Sequence, residues 1–314
     1  MSEVAETKGL PEFVSFGEAL TDMIRVAPDQ WKSVPGGAPW NVAMVMSYFG
    51  IPSAFGGAIS SDCFGDEIWK TTIHAKLDLR FTQRLQKSPL LAIVHETHPP
   101  KYYFIGDDSA DLHFDVAALP EGWEKAVRWA HFGCISLARQ PLADRLVATA
   151  ERLHKLGVKI SYDPNFRAVM DESYDPILAR MTAIADLIKV SEEDLRGFFR
   201  MQDEYAAFDK LRAMNPKAAY LFTRGSEGAA MYVGDQHWRA LPPTIKVVDT
   251  VGAGDTSLAG LLNSLIRHPE AGWDTHLRAA IAAGSGACLA AGASPPSAET
   301  IERLAAEVKF IEKP

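Results

Sequence analysis

Short runs rich in β-branched and aromatic residues alternate with helical runs along almost the whole chain, and this alternation limits the fold more than any other feature. Phe13–Phe16, Ser53–Ile59, Val158–Tyr162, Leu187–Val190 and Ala219–Thr223 read as strands. Helices are expected at Trp40–Phe49, ended by Gly50, at Phe64–Lys76 behind the N-cap Asp62, and at Pro141–Leu156. Three more are expected at Ala253–Arg267, Thr275–Ala291 and Ala298–Phe310. Strands that alternate with helices predict an α/β fold with a doubly wound, mostly parallel sheet flanked by helices and right-handed crossovers.

From Leu79 to Phe104 the pattern changes. Phe81–Leu85, Leu90–Glu96 and Tyr102–Phe104 read as strands with no helix between them, and Pro99-Pro100 marks a turn before the last. Ala19–Val26 has the same character and stops just before Pro28. Four antiparallel strands do not join a parallel sheet easily, so they are expected to form a small antiparallel β lid projecting from it. The organisation expected is one domain over residues 11–314, with lid segments at about 19–34 and 79–106 inserted and residues 1–10 disordered.

A hydrophobic fraction of 47% and a charged fraction of 23% are those of an ordinary globular protein able to bury a full core. The net charge of −8 argues against nucleic acid or an anionic membrane surface as the main partner. Cys63, Cys134 and Cys288 are too few and too scattered for a disulfide framework and read as reduced core cysteines. No basic start followed by an apolar run precedes Pro11, and no apolar stretch reaches the roughly 18 residues of a membrane span. The cytoplasm is the expected location.

The stretch richest in chemistry is Asp249-Thr250-Val251-Gly252-Ala253-Gly254-Asp255-Thr256, between an extended run and a helix. Gly252 and Gly254 allow a tight turn and leave no side chain between the backbone and a ligand. The amides at the helix start carry the positive end of the dipole, which suits a phosphoryl group in flight. A carboxylate at Asp255 would spoil a plain anion site by repulsion, but it suits removal of a proton from an attacking hydroxyl.

This stretch resembles the C-terminal signature of the ribokinase-like (PfkB) carbohydrate kinases. Pro35-Gly36-Gly37-Ala38-Pro39-Trp40-Asn41-Val42-Ala43 resembles the N-terminal signature, and the two stand in the family's order. Phe16–Asp22, Ser109–Asp111, Ser161–Arg167, Asp186–Asp194 and Gly286–Ala293 look like the fructokinase group within it.

The resemblance implies an ATP-dependent sugar kinase with Asp255 as base and Gly252, Ala253 and Gly254 as the phosphate turn. By the same resemblance Asp22 and Asn41 hydrogen-bond the sugar, Gly36-Gly37 brings amides close, and Phe104 lines the pocket. Arg167 is implied to reach the transferred phosphate; Thr223, Gly225, Gly228 and Lys189 are implied to contact the nucleotide. For magnesium the family's Asn-x-x-Glu motif falls on Ser191 and Asp194, although a helix N-cap with acidic first-turn residues fits that run equally. Asp249 and Thr250 resemble the ligands of a monovalent cation, potassium, in many members. Other readings are that Asp22 is a turn residue, Asn41 an N-cap, and Asp163 and Asn165 an Asx turn.

The partners implied are a small sugar and ATP, with a homodimer formed through the lid. Asp107-Asp108 stands where fructokinases often carry a basic or amide residue, which argues against an acid sugar. Trp40 is bulky for its place and would narrow the pocket, stack on the sugar or pack under the helix. A 2-keto-3-deoxygluconate kinase, a nucleoside kinase and a silent sugar-binding regulator stay open as alternatives. A dinucleotide-binding dehydrogenase is excluded, since no Gly-x-Gly-x-x-Gly follows the first strand.

Overall fold

The structure, a computed structural model, describes residues 9–97, 100–292 and 295–312. The chain begins with β1 (Phe13–Phe16), β2 (Leu20–Ala27), β3 (Gln30–Gly36), α1 (Ala38–Tyr48), β4 (Ser53–Ser60) and α2 (Cys63–His74). Next come β5 (Thr82–Leu85), β6 (Leu91–Thr97), β7 (Pro100–Ile105), α3 (Trp123–Ala126), β8 (Trp129–Gly133), α4 (Leu142–Lys155) and β9 (Lys159–Asp163). The middle of the chain holds α5 (Asp175–Ile184), β10 (Leu187–Ser191), α6 (Glu192–Phe199), α7 (Glu204–Met214) and β11 (Ala219–Thr223). It closes with β12 (Ala229–Val233), β13 (Gln236–Leu241), α8 (Ala253–Arg267), α9 (Trp273–Ala287), α10 (Ala298–Glu307) and β14 (Lys309–Glu312).

Ten strands form the main sheet in the order β14-β13-β12-β11-β10-β9-β8-β1-β4-β5. From β5 across to β11 every neighbouring pair is parallel; β12, β13 and β14 add an antiparallel edge. Strands buried on both faces should be apolar throughout rather than alternating, and all eight residues of β4 are buried. One face packs on α1, α8 and α9 through Val42, Leu258, Leu261 and Leu277. The other packs on α4 to α7 through Leu146, Met181, Phe198 and Phe208.

The expected N-cap of α2 is present: the Asp62 carboxylate accepts the N–H groups of Phe64 and Gly65, each at 3.0 Å. Trp40 packs under its helix, fully buried, and donates from Nε1 to Thr72 Oγ1 on α2 at 2.9 Å.

The lid is a four-stranded sheet in the order β3-β2-β6-β7. Two of its pairs are antiparallel, but the central pair, β2 with β6, is parallel, so the lid is not wholly antiparallel. Its membership also differs from expectation. The Phe81–Leu85 run supplies β5, which pairs parallel with β4 in the main sheet, and Gln30–Gly36 takes the fourth place in the lid. The reason is topological: β4, α2 and β5 form a crossover unit that returns the chain to the sheet edge before the lid resumes. The expected last helix stops at Glu307, and the chain then pairs as β14 with β13.

Pro99 of the expected turn, residues 1–8 of the expected disordered start and Ala293 lie outside the described residues.

Candidate active site

The carboxyl ends of β1, β9, β10 and β11 open on one edge of the sheet, where α8 begins. Gly252 is the N-cap of α8 with φ 74°, the left-handed region that favours glycine. Asp255 therefore falls in the first turn of α8, almost fully buried. Ala253 N–H donates to the Thr250 carbonyl at 3.2 Å, so of the three residues expected to line the turn its amide is engaged. Gly254 faces Lys189: a Cβ built there would lie 3.3 Å from the ammonium nitrogen.

Lys189, on β10, is buried and pairs with Asp163 at the end of β9 (Nζ–Oδ2 3.0 Å). Burial opposes its charge, but Asp163 foremost, then Asp194 and Asp255, outweigh that and push its pKa up. Lys189 is thus a fixed cation directly behind the glycine turn. Asp163 also accepts from Asn165 N–H at 3.1 Å, the Asx turn that the sequence allows.

From the other side comes Asn41. Pro39 at the start of α1 places Asn41 inside the first turn rather than at the cap, which is Gly37. Its Nδ2 donates to Asp255 Oδ2 at 2.9 Å. Its Oδ1 is buried and has no hydrogen-bond partner among the described residues, which leaves an acceptor for a ligand hydroxyl. Burial pushes the Asp255 carboxyl above its usual range, while the Asn41 amide, Lys189 and Arg167 pull it back.

The lid supplies the roof. Asp22 on β2 pairs with Ala92, and Ala92 with Phe104, so Asp22 and Phe104 share one face of the lid. A Cβ on Gly36 would meet the Asp22 carboxylate at 2.3 Å, so a larger residue there would displace that carboxylate. The Asp22 carboxyl is pushed up to about 6, by burial first, with Arg167 opposing and Asp255 adding to the rise.

Arg167 is half-buried and donates to the carbonyls of Asn165 and Phe166 and to Asn165 Oδ1. Its guanidinium lies over the ring of Tyr102, a lid residue that sequence reasoning missed. The alternation Tyr102-Tyr103-Phe104 was the available signal, because it puts Tyr102 on the Phe104 face.

Thr223 ends β11, and the turn after it closes with Arg224 N–H donating to the Gly228 carbonyl at 2.8 Å. Gly225 and Gly228 take φ of 51° and 93°, and a Cβ on Gly228 would strike the Ala240 carbonyl at 2.1 Å. Asp194 is close enough to act on the Lys189 and Arg167 charges, but the chain itself engages both its oxygens. One carboxylate oxygen accepts Phe166 N–H at 2.7 Å; the other takes Ser191 N–H and Oγ in a capping box. Among the described residues no three His, Cys, Asp or Glu side chains gather as a metal site.

Asp249 accepts Val251 N–H at 3.1 Å and Gly292 N–H at 2.8 Å, tying the turn to the loop after α9; Thr250 beside it is exposed. Asp108 is exposed and pairs with Lys87 and His113.

Glu18 is a second residue that sequence reasoning passed over, although it lies inside the Phe16–Asp22 segment. It is fully buried at the end of β1, where Ser136 N–H and Oγ donate to Oε2. Burial pushes its carboxyl up to about 7, against hydrogen bonds from Ser136 and Cys134.

The model of the pfkB family carbohydrate kinases matches residues 11–301. The chain is 31% identical over 280 residues to a probable chloroplastic fructokinase-6 of Arabidopsis thaliana, covering 84% of this chain and 73% of that protein. It is 31% identical over 262 residues to a fructokinase of Klebsiella pneumoniae, covering 80% and 83%. The fold is that of a fructokinase of Xylella fastidiosa solved with bound ATP, at a TM-score of 0.84 and 24% identity over 95% of this chain and 99% of that one. A Vibrio cholerae fructokinase in a fructose, ADP and calcium bound form superposes at 0.80, with 24% identity over 94% and 99%. None of the helices among the described residues is long and apolar enough to cross a membrane. With the family model spanning nearly the whole chain, and Asp255 set in a glycine turn at a helix start, the chain belongs to the pfkB family of carbohydrate kinases.

Proposed function

We propose that this kinase transfers the γ-phosphoryl group of ATP to a hydroxyl of a neutral hexose, with fructose the preferred acceptor. The observation that carries the reading is the buried hydrogen bond from Asn41 to Asp255 at 2.9 Å. It joins a residue with a spare acceptor for a sugar hydroxyl to a carboxylate able to take that hydroxyl's proton. Asp255 removes the proton as the hydroxyl attacks. The helix-start amides beside Gly254 and the Lys189 ammonium stabilise charge on the transferred group, and Arg167 adds to it from the lid side.

Asp22, Asn41 and Phe104 hold the sugar; Thr223, Gly225 and Gly228 form the nucleotide turn. Magnesium, held mainly by the nucleotide phosphates and water, would offset phosphate charge. With both Asp194 oxygens engaged by the chain, that carboxylate acts on the ion through water. Asp249 and Thr250 mark the place for potassium. The lid excludes water, a competing acceptor. The organisation is a single kinase domain over 11–314 with the lid inserted, and ATP-dependent chemistry suits a cytoplasmic enzyme.

The lid's outer face favours a second copy of this chain as partner. Trp31, Tyr103 and Ile105 are 43%, 64% and 47% exposed there, on the side opposite Asp22. Fructose is favoured over other acceptors by the fructokinase-like segments and by fructokinases among the relatives. ADP release with fructose, 2-keto-3-deoxygluconate and adenosine under one set of conditions tests the assignment. Fructose is expected to have the highest kcat/KM. A competitor ahead by roughly tenfold, about 1.4 kcal/mol in transition-state binding, overturns the fructose assignment and leaves the kinase.

A further inference from the structure

The lid leaves and rejoins the body at four places; two of them meet one short segment directly, and the other two are joined to those two. The first crossing is Gly17-Glu18-Ala19, between β1 and β2; the second is Gly37, between β3 and α1. These two touch, since a Cβ on Gly37 would lie 2.6 Å from the Glu18 carbonyl and 3.0 Å from Ala19 Cα. Glu18 is held by Ser136, whose N–H donates at 3.2 Å and whose Oγ donates as well. Gly17 also lies against Ser136: a Cβ there would come 3.0 Å from its Oγ.

The third crossing runs from β5 to β6, and the fourth from β7 through Gly106 to Ser109. These two are joined by Ala110 N–H donating to the Ser88 carbonyl at 2.9 Å and by a bridge between Ser88 and Ser109. Arg139 holds the fourth: its Nη2 donates to the Gly106 carbonyl at 2.6 Å and to Ser109 Oγ at 2.8 Å. Its Nε pairs with the buried Asp111 at 3.1 Å. Ser136 and Arg139 belong to the same 3-10 turn, Cys134–Ala138 with Arg139 as its C-cap, fully buried along most of its length.

We propose that this turn is a common bearing for both halves of the lid, and that Arg139 is a positioning residue for the sugar site. Ser136 holds the buried Glu18 carboxylate of the first crossing and the partly buried Arg139 guanidinium holds the fourth, the two standing three residues apart on one support. The hairpins β2–β3 and β6–β7 therefore move as one body, and Asp22 on the first stays in register with Tyr102 and Phe104 on the second. Arg139 itself bonds Gly106, Ser109 and Asp111 and none of the sugar-site residues, so its effect is indirect. The catalytic consequence rests on the kinase reading above; the motion of the lid does not.

Hydrogen exchange of residues 20–36 and 91–105 is compared in wild type, Arg139→Met, Arg139→Lys and Ser136→Ala, together with KM for fructose and for ATP. In Arg139→Met both lid segments are expected to exchange roughly tenfold faster with the main sheet unchanged. KM for fructose is expected to rise by a similar factor, KM for ATP to stay within about twofold, and Arg139→Lys to recover part of both. If Arg139→Met fails to fold, Ser136→Ala carries the test, and loosening of residues 91–105 from the far crossing is the expected result. Unchanged exchange in a folded variant, or loosening confined to the half nearest the substitution, overturns the bearing. Loosened exchange with no fructose activity in any form retains the bearing and discards fructose as substrate.

Discussion

The guanidinium of Arg167 lies 5.1 Å over the ring of Tyr102, and this pair joins the end of the β9 loop to the lid across the mouth of the site. A cation–π contact that is partly shielded contributes about 1–2 kcal/mol. Tyr102→Leu is expected to keep the fold and to raise KM for the sugar by about tenfold, since 1.4 kcal/mol is a factor of ten in affinity. Steady-state kinetics check it, and unchanged sugar KM would mean that the pair does not stabilise the closed lid.

Asp255→Asn should leave the fold and ATP binding almost intact while lowering turnover by roughly a hundredfold or more, the usual scale for a general base. Near-wild-type turnover in a folded variant would discard Asp255 as the base. The same role predicts an acid limb in kcat/KM above the ordinary carboxylate range, because burial raises the Asp255 pKa. Asn41→Leu, which removes a hydrogen bond to the ionised form, should move that limb to still higher pH.

Gly254→Val adds bulk in front of Lys189, where a Cβ alone would come within 3.3 Å of the ammonium. Phosphoryl transfer should fall on the order of a hundredfold, as when an anion-stabilising donor is lost. Calorimetric titration with sugar alone should find binding little changed. Lost sugar affinity with intact transfer would contradict the assignment of this turn to the phosphate.

Glu18 gives a stability prediction with a definite sign. Its carboxyl rises from 4.5 to about 7 on folding, so the folded state holds the proton more tightly than the unfolded chain. The stabilisation is fully present below about pH 4.5 and is lost as the pH rises through about 7. At roughly 1.4 kcal/mol per pKa unit it amounts to on the order of 3 kcal/mol. Thermal unfolding of Glu18→Gln should depend less on pH across this window than that of wild type; parallel curves would remove Glu18 from the titration.

Tyr103→Lys, on the outer face of the lid, should convert a dimer to monomers in sedimentation velocity without altering the fold. A wild-type protein that sediments as a monomer at micromolar concentration would dispose of the lid-to-lid dimer.

The parts of the fold legible in the sequence are those set by local chemistry. Asp62 before a helical run reads as a cap, and the glycines around Asp255 read as a tight turn into a helix. Strand membership was not legible in the same way. Phe81–Leu85 has the composition of a strand whichever sheet it joins, and its partner is decided by the β4–α2 crossover. Gln30–Val34 is largely exposed and carries no apolar alternation, so β3 left no periodic signal. The helix expected from Trp40 begins two residues earlier, at Ala38, because Pro39 is accommodated in its first turn, so the alternative of Asn41 as the N-cap does not hold. Tyr102, Glu18 and Arg139 gain their roles only from residues far along the chain.

The parallel pairing of β2 with β6 also bears on the order in which the molecule assembles. Each lid hairpin is local, but neither has a neighbour until the chain between them has folded as β4, α2 and β5 and returned. Pairings across such sequence separations form late, because the loop between them must be closed first. On the ribosome the β2–β3 hairpin waits, unpaired along one edge, until β6 has emerged. A refolding chain should therefore form the β4–α2–β5 unit before the two lid hairpins pair, and sugar binding should return no earlier than that pairing.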